Sequence, residues 1–92
     1  MGQRVKFTVK GIVQGVGYRF FAYTNATKLK LRGYVRNLYN GDVEVVVVGD
    51  ENVIEEFKSK LKIGPQRARV EKIIQEEEPS NIEFEDFCIK SM

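Results

Sequence analysis

The feature that most constrains the fold is Asn40-Gly41, which stands between two runs of strand-forming residues. The runs cover residues 34–39 and 42–48. Asn-Gly favours the positive φ angles of a tight turn, so the two runs are predicted to pair as an antiparallel hairpin. The valines at 45–48 further indicate a central strand that is covered on one face at least. The rest of the chain must therefore pack around this hairpin.

A strand and a helix are predicted before the hairpin. Val5, Phe7 and Val9 alternate with polar residues, which is the period of a half-buried strand. Apolar side chains then recur at helical spacing over residues 18–29. A glycine-rich turn at residues 14–17 separates the two elements, so the N-terminus of the helix faces that turn.

A helix and two strands are predicted after the hairpin. Asp50 is placed to cap the helix, which ends before Gly64. Residues 69–75 predict a fourth strand and residues 83–89 a short last one, with a solvated turn at 76–81 between them.

This order of elements predicts an α+β fold. The sequence reads β-α-β-β-α-β with a short additional C-terminal strand, which packs most simply as a ferredoxin-like sandwich with two helices on one face of an antiparallel sheet. A chain of 92 residues has room for one such domain, over residues 1–92. Within it, Phe20, Phe21 and Phe57 are predicted to lie in the core, and Tyr34 and Tyr39 to be partly exposed residues of the sheet.

The charges are strongly polarised along the chain. Residues 1–41 contain eight Lys or Arg and no Asp or Glu, whereas residues 42–92 contain seven basic and thirteen acidic residues, so the net charge of +2 conceals a basic half. Such a half favours an anionic ligand.

Cys88 is the single cysteine and is predicted to be a small buried side chain in a reducing compartment. With no signal peptide or membrane span in the sequence, we expect a soluble cytoplasmic protein.

The turn between the first strand and the first helix is a candidate anion site. Gly15 and Gly17 allow successive backbone N–H groups to point into one concavity. Arg19 follows, and its planar guanidinium can donate to two oxygens of one phosphate or carboxylate. The glycine turn alone is as often a simple tight turn as an anion site, and Arg19 shifts that balance towards the anion site.

Two segments resemble the signatures of the acylphosphatase family. GIVQGVGYR at residues 11–19 fits the pattern G-x-V-Q-G-V-x-[FY]-R, and GYVRNLYNGDV at residues 33–43, followed by Gly49, fits the second signature. GPQRARV at residues 64–70 resembles a third family pattern. The resemblance covers almost the whole chain, and two long spaced signatures are far more specific than one glycine-rich turn.

The resemblance implies a catalytic site. Arg19 and Asn37 would be the catalytic residues, with Arg19 on the substrate phosphate and Asn37 orienting the attacking water. The phosphate would also be bound by backbone amides of the loop, at Gln14, Gly15, Val16, Gly17 and Tyr18.

The resemblance also implies the reaction. The family hydrolyses acyl phosphates, such as acetyl phosphate, carbamoyl phosphate and 1,3-bisphosphoglycerate, to a carboxylate and inorganic phosphate without a metal or other cofactor. The expected partner is then a small-molecule substrate, with no nucleic acid and no membrane, and the expected oligomeric state is a monomer.

One departure from the family stands out. Lys30 occupies a position where relatives often have glycine, at the end of the first helix, and a left-handed residue there would cost about 1–2 kcal/mol.

The absence of histidine from the sequence agrees with this chemistry. Histidine is the usual acid or base near neutral pH. An acyl phosphate needs little of either, because its leaving group is a carboxylate that departs unprotonated. Holding the phosphoryl group, stabilising its oxygens and placing a water in line are the main requirements.

Two other functions remain open on the sequence. The same fold with a basic sheet describes RNA-binding modules, and Arg32-Gly33-Tyr34 begins like their signature, although Val35 and Arg36 break it. A non-catalytic module that binds an acyl or carbamoyl phosphate within a larger maturation enzyme is the other alternative. The presence of both Arg19 and Asn37, in a sequence with no further domain, favours a free-standing enzyme.

Overall fold

The computed structural model describes residues 2–91 as a two-layer sandwich. The elements in chain order are β1 (Gly2–Ile12), α1 (Tyr18–Lys28), β2 (Arg32–Asn37), β3 (Val43–Asp50), α2 (Glu51–Ile63), β4 (Arg69–Glu77) and β5 (Phe87–Lys90). The strands form one sheet in the order β4-β1-β3-β2-β5. The helices pack on one face of it, α1 over β2 and β5 and α2 over β3 and β4. The ferredoxin-like α+β prediction is confirmed. Neither helix is long and apolar enough to cross a membrane.

The sheet is mixed, because its last strand runs parallel to its neighbour. The pairs β1–β3, β1–β4 and β2–β3 are antiparallel, as predicted, whereas β5 pairs with β2 in parallel. Asp50 caps α2 as predicted, with its Oδ1 accepting a hydrogen bond from the Asn52 N–H at 3.0 Å.

The predicted hairpin forms, but its loop is longer than Asn40-Gly41. β2 ends at Asn37, and the loop is closed by the Leu38 N–H, which donates to the Asp42 carbonyl at 2.8 Å. The side-chain carbonyl of Asn40 accepts a hydrogen bond from the Asp42 N–H at 3.0 Å, and such local bonds stabilise a wider turn. Tyr39 lies in this loop and is 90% exposed, so its predicted place in the sheet was wrong.

The acidic run at residues 76–78 does not end β4 where the sequence predicted. Glu76 and Glu77 continue the strand opposite Lys6 and Val5, and the Glu76 carboxylate lies 3.8 Å from the Lys6 ammonium. Carboxylates are tolerated there because β4 is an edge strand with solvent beside it. The predicted solvated turn therefore begins later, and residues 78–86 connect β4 to β5.

The core lies between the sheet and the helices. Its fully buried side chains include alternating residues of the strands and one stripe of each helix: Phe7, Val9, Val35, Val43, Val45, Val47, Ala22, Ala26, Ile54, Phe57 and Leu61. Val46, on the opposite face of β3, is also buried, so this central strand is covered on both faces. Phe57 is buried as predicted and Phe21 is half-buried.

Two burial predictions were wrong. Phe20 is 67% exposed, because it lies on the first turn of α1, on the side away from the buried Tyr18 and Ala22. Cys88 is exposed, because it alternates with the buried Phe87 on a short edge strand and so lies on the face of the sheet opposite the helices. The periodicity of apolar residues could not predict the exposure of either side chain, since Phe20 lies at the end of the helical layer and Cys88 on the edge of the sheet.

Lys30 adopts the left-handed conformation that its position suggested, with φ at 59°. The Lys30 N–H donates to the Thr27 carbonyl and the Leu31 N–H to the Ala26 carbonyl, at 3.1 and 2.9 Å, so α1 ends in a Schellman motif. The residue at the left-handed position of this motif is usually glycine, which lacks the Cβ that makes the conformation costly.

Lys30→Gly is expected to raise the free energy of unfolding by about 1 kcal/mol, because the strain of the Cβ is removed. Lys28→Gly is the matched control. It removes a lysine from the last helical turn, so it should lower the free energy of unfolding by about 0.5–1 kcal/mol. Urea unfolding of both variants gives the two changes, and a destabilised Lys30→Gly protein would contradict the expectation.

Candidate active site

A cavity of about 230 Å³ opens where the loop after β1 meets the first turn of α1. Strand β2 contributes its last residue and β5 one side chain to the wall. The lining residues are Val13, Gly15, Gly17, Tyr18, Arg19, Phe20, Asn37 and Ile89. The two residues that the sequence singled out for catalysis, Arg19 and Asn37, are therefore brought to one cavity from different elements.

Gly15 and Gly17 are required by the backbone of the loop. Their φ angles are 74° and 80°, in the region that favours glycine. A Cβ at either position would meet no other atom within 4 Å, so packing inside the protein does not explain the glycines. Backbone conformation explains them, and the open space beside the loop lets a ligand approach the main chain closely.

The N-terminus of α1 has an unbalanced positive potential at this cavity. Gly17 is its N-cap and supplies no side-chain hydrogen bond, and the first turn contains no acidic residue. Arg19 lies in that turn, is exposed and forms no ion pair with any residue between 2 and 91. The N-terminal end of a helix dipole and a cation repel each other. An anion bound here would offset both the dipole and the guanidinium charge.

Asn37 places an acceptor without a partner at the other side of the cavity. It is the half-buried last residue of β2, and its side-chain Oδ1 is buried with no hydrogen-bond partner among residues 2–91. A buried acceptor left unsatisfied costs about 1–3 kcal/mol. The site thus retains an oxygen able to accept a hydrogen bond from a water or a ligand.

Gln14 joins the glycine loop to the hairpin that carries Asn37. Its Nε2 donates to the carbonyls of Leu38 and Asp42, both at 2.8 Å. The Gln14 side chain is therefore engaged with the protein and does not line the cavity. These two hydrogen bonds fix the loop relative to the end of β2, and so fix Arg19 relative to Asn37.

An ion pair holds the same end of the hairpin. The Lys10 ammonium lies 2.6 Å from Oδ2 of Asp42, whose side chain is only 13% exposed. Oδ2 also accepts a hydrogen bond from the Asn40 amide at 3.2 Å. The two hydrogen bonds of Gln14, which we call the Gln14 clamp, thus end on a segment that is itself held in place.

The side chain of Tyr18 lines the cavity but does not offer its hydroxyl to it. The hydroxyl donates to the Leu61 carbonyl at 2.8 Å across the core, and burial raises the Tyr18 pKa far above its ordinary value. Tyr18 therefore anchors the first turn of α1 to α2. Val16 likewise packs against the core and is absent from the cavity wall.

The sheet face opposite the helices is occupied by a polar cluster. Glu44 accepts hydrogen bonds from Arg36 Nε at 2.7 Å and from the Tyr34 hydroxyl at 3.0 Å. The pKa of Tyr34 is raised to about 12, by burial first and then by its bond to Glu44, and the same carboxylate raises the pKa of Arg36. The Lys90 ammonium lies 4.3 Å from the centroid of the Tyr34 ring, and the Phe84 ring packs against Tyr34 in an edge-to-face pair with the two centroids 5.9 Å apart. The aromatic ring that would stack on an RNA base is therefore covered.

The family is decided by comparison with known proteins. The family model for acylphosphatases matches residues 5–89. The chain belongs to the acylphosphatase family. The predicted fold, family and acylphosphatase activity are confirmed by this match together with the named relatives.

Relatives of similar length support that conclusion. The acylphosphatase of Vibrio vulnificus (strain CMCP6) is 53% identical over 72 residues, which is 78% of this chain and 80% of the relative. The crystal structure of acylphosphatase from Bacillus subtilis superposes with a TM-score of 0.91 at 36% identity, over 98% of this chain and 99% of that one. A longer protein, HypF of T. kodakarensis, matches all of this chain with 12% of its own length, at 41% identity and a TM-score of 0.87.

The sequence did not predict the apolar part of the cavity wall. Phe20 follows Arg19 on the first turn of a helix whose N-terminus faces the loop, so its position in the sequence could have indicated the cavity. Ile89 could not be placed in this way. It reaches the wall only because β5 pairs in parallel with β2, with Ile89 opposite Val35.

Proposed function

We propose that the cavity holds the phosphoryl group of an acyl phosphate. Arg19 and backbone N–H groups of Gly15, Val16, Gly17 and Tyr18 would bind its oxygens, together with the N–H of Gln14. The observation that carries the proposal is the convergence of an uncapped helix N-terminus, an unpaired Arg19 and an unpartnered Asn37 Oδ1 on one cavity. At about 230 Å³ the cavity is smaller than the roughly 300–1,000 Å³ of drug-sized pockets, which suits a small phosphorylated ligand.

Asn37 orients the attacking water in this proposal. Its Oδ1 accepts one water hydrogen, and a half-turn of the amide about χ2 would present its NH₂ as a donor instead. An amide is not a base, so one water proton passes to a phosphoryl oxygen of the substrate, and the other stays on the attacking oxygen. The water oxygen forms a bond to phosphorus, the bond between phosphorus and the acyl oxygen breaks, and its electron pair leaves with the carboxylate. An acyl phosphate dianion and water thus give a carboxylate and dihydrogen phosphate.

The leaving group explains why this set of residues is sufficient. A carboxylate departs without a proton, so no acid is needed beside the acyl oxygen. Arg19 and the loop amides stabilise the equatorial oxygens as charge redistributes in the transition state, which is the main contribution of proteins to phosphoryl transfer. No step of this proposed mechanism requires a metal ion.

The experiment that tests the proposal measures phosphate released from benzoyl phosphate, with a chelator present, by the wild type and by variants at Arg19 and Asn37. Rapid turnover by the wild type and its loss in both variants support the proposal. A folded wild type that binds the substrate without hydrolysing it would overturn it in favour of a non-catalytic phosphate-binding module.

We also propose that the protein is a cytoplasmic monomer. The exposed thiol of Cys88 stays free in a reducing compartment. The edge strand β4 carries Glu76 and Glu77, charges that oppose pairing with the edge of a second molecule. Light scattering tests the oligomeric state, with the mass of one chain expected, and the mass of two chains would contradict it.

A further inference from the structure

Two large apolar side chains stand exposed on the wall of the active-site cavity. Phe20 is 67% exposed and Ile89 is 42% exposed, and both line the cavity beside Arg19 and Asn37. Single exposed apolar residues are common on protein surfaces, but two that converge on one site indicate contact with a ligand. We propose that Phe20 and Ile89 form an acyl-group subsite that favours apolar acyl groups, aromatic ones above all. The proposal rests on the phosphate-binding role proposed for Arg19.

The ring of Phe20 is held in place by a chain of aromatic contacts. Its centroid lies 6.3 Å from that of Tyr23, with the rings inclined by 26°. Tyr23 contacts the buried Phe87 at 6.5 Å, and Phe87 contacts Phe57 in the core at 6.3 Å. Offset and edge-to-face pairs at such distances are favourable. Phe20 therefore presents a positioned ring, which lowers the entropy lost when an acyl group packs against it.

The rest of the cavity wall offers nothing polar to the acyl group. Once Gly15, Gly17, Arg19 and Asn37 are assigned to the phosphoryl group and the water, the remaining lining side chains are Val13, Tyr18, Phe20 and Ile89. The hydroxyl of Tyr18 is already bonded to the Leu61 carbonyl. A carbamoyl amide, or the second phosphate of a bisphosphorylated substrate, would lose hydration here without gaining a partner. An aryl or alkyl group would instead be removed from water against apolar surface.

The test compares kcat/KM for benzoyl phosphate and acetyl phosphate, because both leave as simple carboxylates and differ mainly in apolar bulk. The wild type is expected to prefer benzoyl phosphate. Phe20→Ala should lower kcat/KM for benzoyl phosphate by roughly tenfold and that for acetyl phosphate by less than about twofold. Ile89→Ala should act in the same direction with a smaller effect, and Phe20→Leu should restore part of the preference.

Ile63→Ala is the matched control, since Ile63 is 74% exposed at the end of α2 and does not line the cavity. Its ratio of the two kcat/KM values should equal that of the wild type. An unchanged ratio in Phe20→Ala, or an equal loss on both substrates, would overturn the subsite while leaving the hydrolase mechanism intact. Loss of Arg19 without loss of activity would instead overturn the proposed function, whatever the ratio in the Phe20 variants.

Discussion

Arg19→Ala is expected to lower kcat/KM for benzoyl phosphate by at least about 10³-fold, the range seen when a principal donor to a phosphoryl transition state is lost. The loop amides would remain, but the guanidinium is the only cationic side chain on the described cavity wall. The guanidinium already contacts the phosphoryl oxygens of the bound substrate, and these contacts strengthen as the oxygens gain charge. Both KM and kcat should therefore suffer.

The same substitution should leave the fold intact or make it more stable. Arg19 lies in the first turn of α1, where a positive charge opposes the helix dipole. Its removal is expected to raise the free energy of unfolding by about 0.3–1 kcal/mol. A variant with a higher melting temperature and almost no activity would show that the arginine is kept for the ligand at the expense of stability.

Two further variants sharpen this experiment. Arg19→Lys keeps the charge but loses the two-pronged donor geometry, so it should recover only a small part of the activity. Arg67→Ala removes another exposed arginine, which lies outside the cavity, and should have wild-type kinetics. Near-normal turnover by Arg19→Ala would contradict the assignment of the phosphate site.

Asn37→Ala is expected to lower kcat by about 10²–10³-fold with little change in KM, because a group that orients the water acts chiefly in the transition state. Phosphate release at saturating benzoyl phosphate gives kcat directly. The fold should tolerate the change, since the substitution removes a buried Oδ1 that has no hydrogen-bond partner within residues 2–91.

Asn37→Asp and Asn81→Ala serve as the comparisons. The aspartate keeps the shape of the side chain but places a negative charge beside the phosphoryl group, so activity should remain low and KM should rise. Asn81 is exposed in the connection between β4 and β5, and its loss should be silent. If Asn37→Ala raised KM while kcat stayed normal, the side chain would be a substrate-binding group and not the one that positions water.

The sequence predicted those parts of the molecule that depend on neighbouring residues. The glycine turn, Arg19 on the first helical turn and the cap at Asp50 are local features, and each lies where its residue type requires. The α+β order followed from strand and helix periods that are set within single elements. The family signatures, together with the predicted order of the strands, paired Arg19 with Asn37 beforehand.

The features that were mispredicted or missed depend on contacts between distant elements. Cys88 and Ile89 take their positions from the parallel pairing of β5 with β2, which no periodicity within a short strand reveals. Phe20 is exposed because α1 begins at the cavity, and not because of its own residue type. Gln14 was correctly placed in the loop, but its side chain bonds carbonyls of the hairpin 24 and 28 residues further along the chain.

The Gln14 clamp also bears on how such a chain can change over evolutionary time. Its Nε2 holds the main-chain carbonyls of Leu38 and Asp42, and neither bond depends on which side chains occupy those positions. Residues 39–41 project beyond the clamped carbonyls, and Tyr39 is almost fully exposed. Mutation can therefore alter the tip of the hairpin while the distance between the glycine loop and Asn37 stays fixed. A single side-chain amide would thus confine sequence drift to the surface and leave the reaction geometry unchanged.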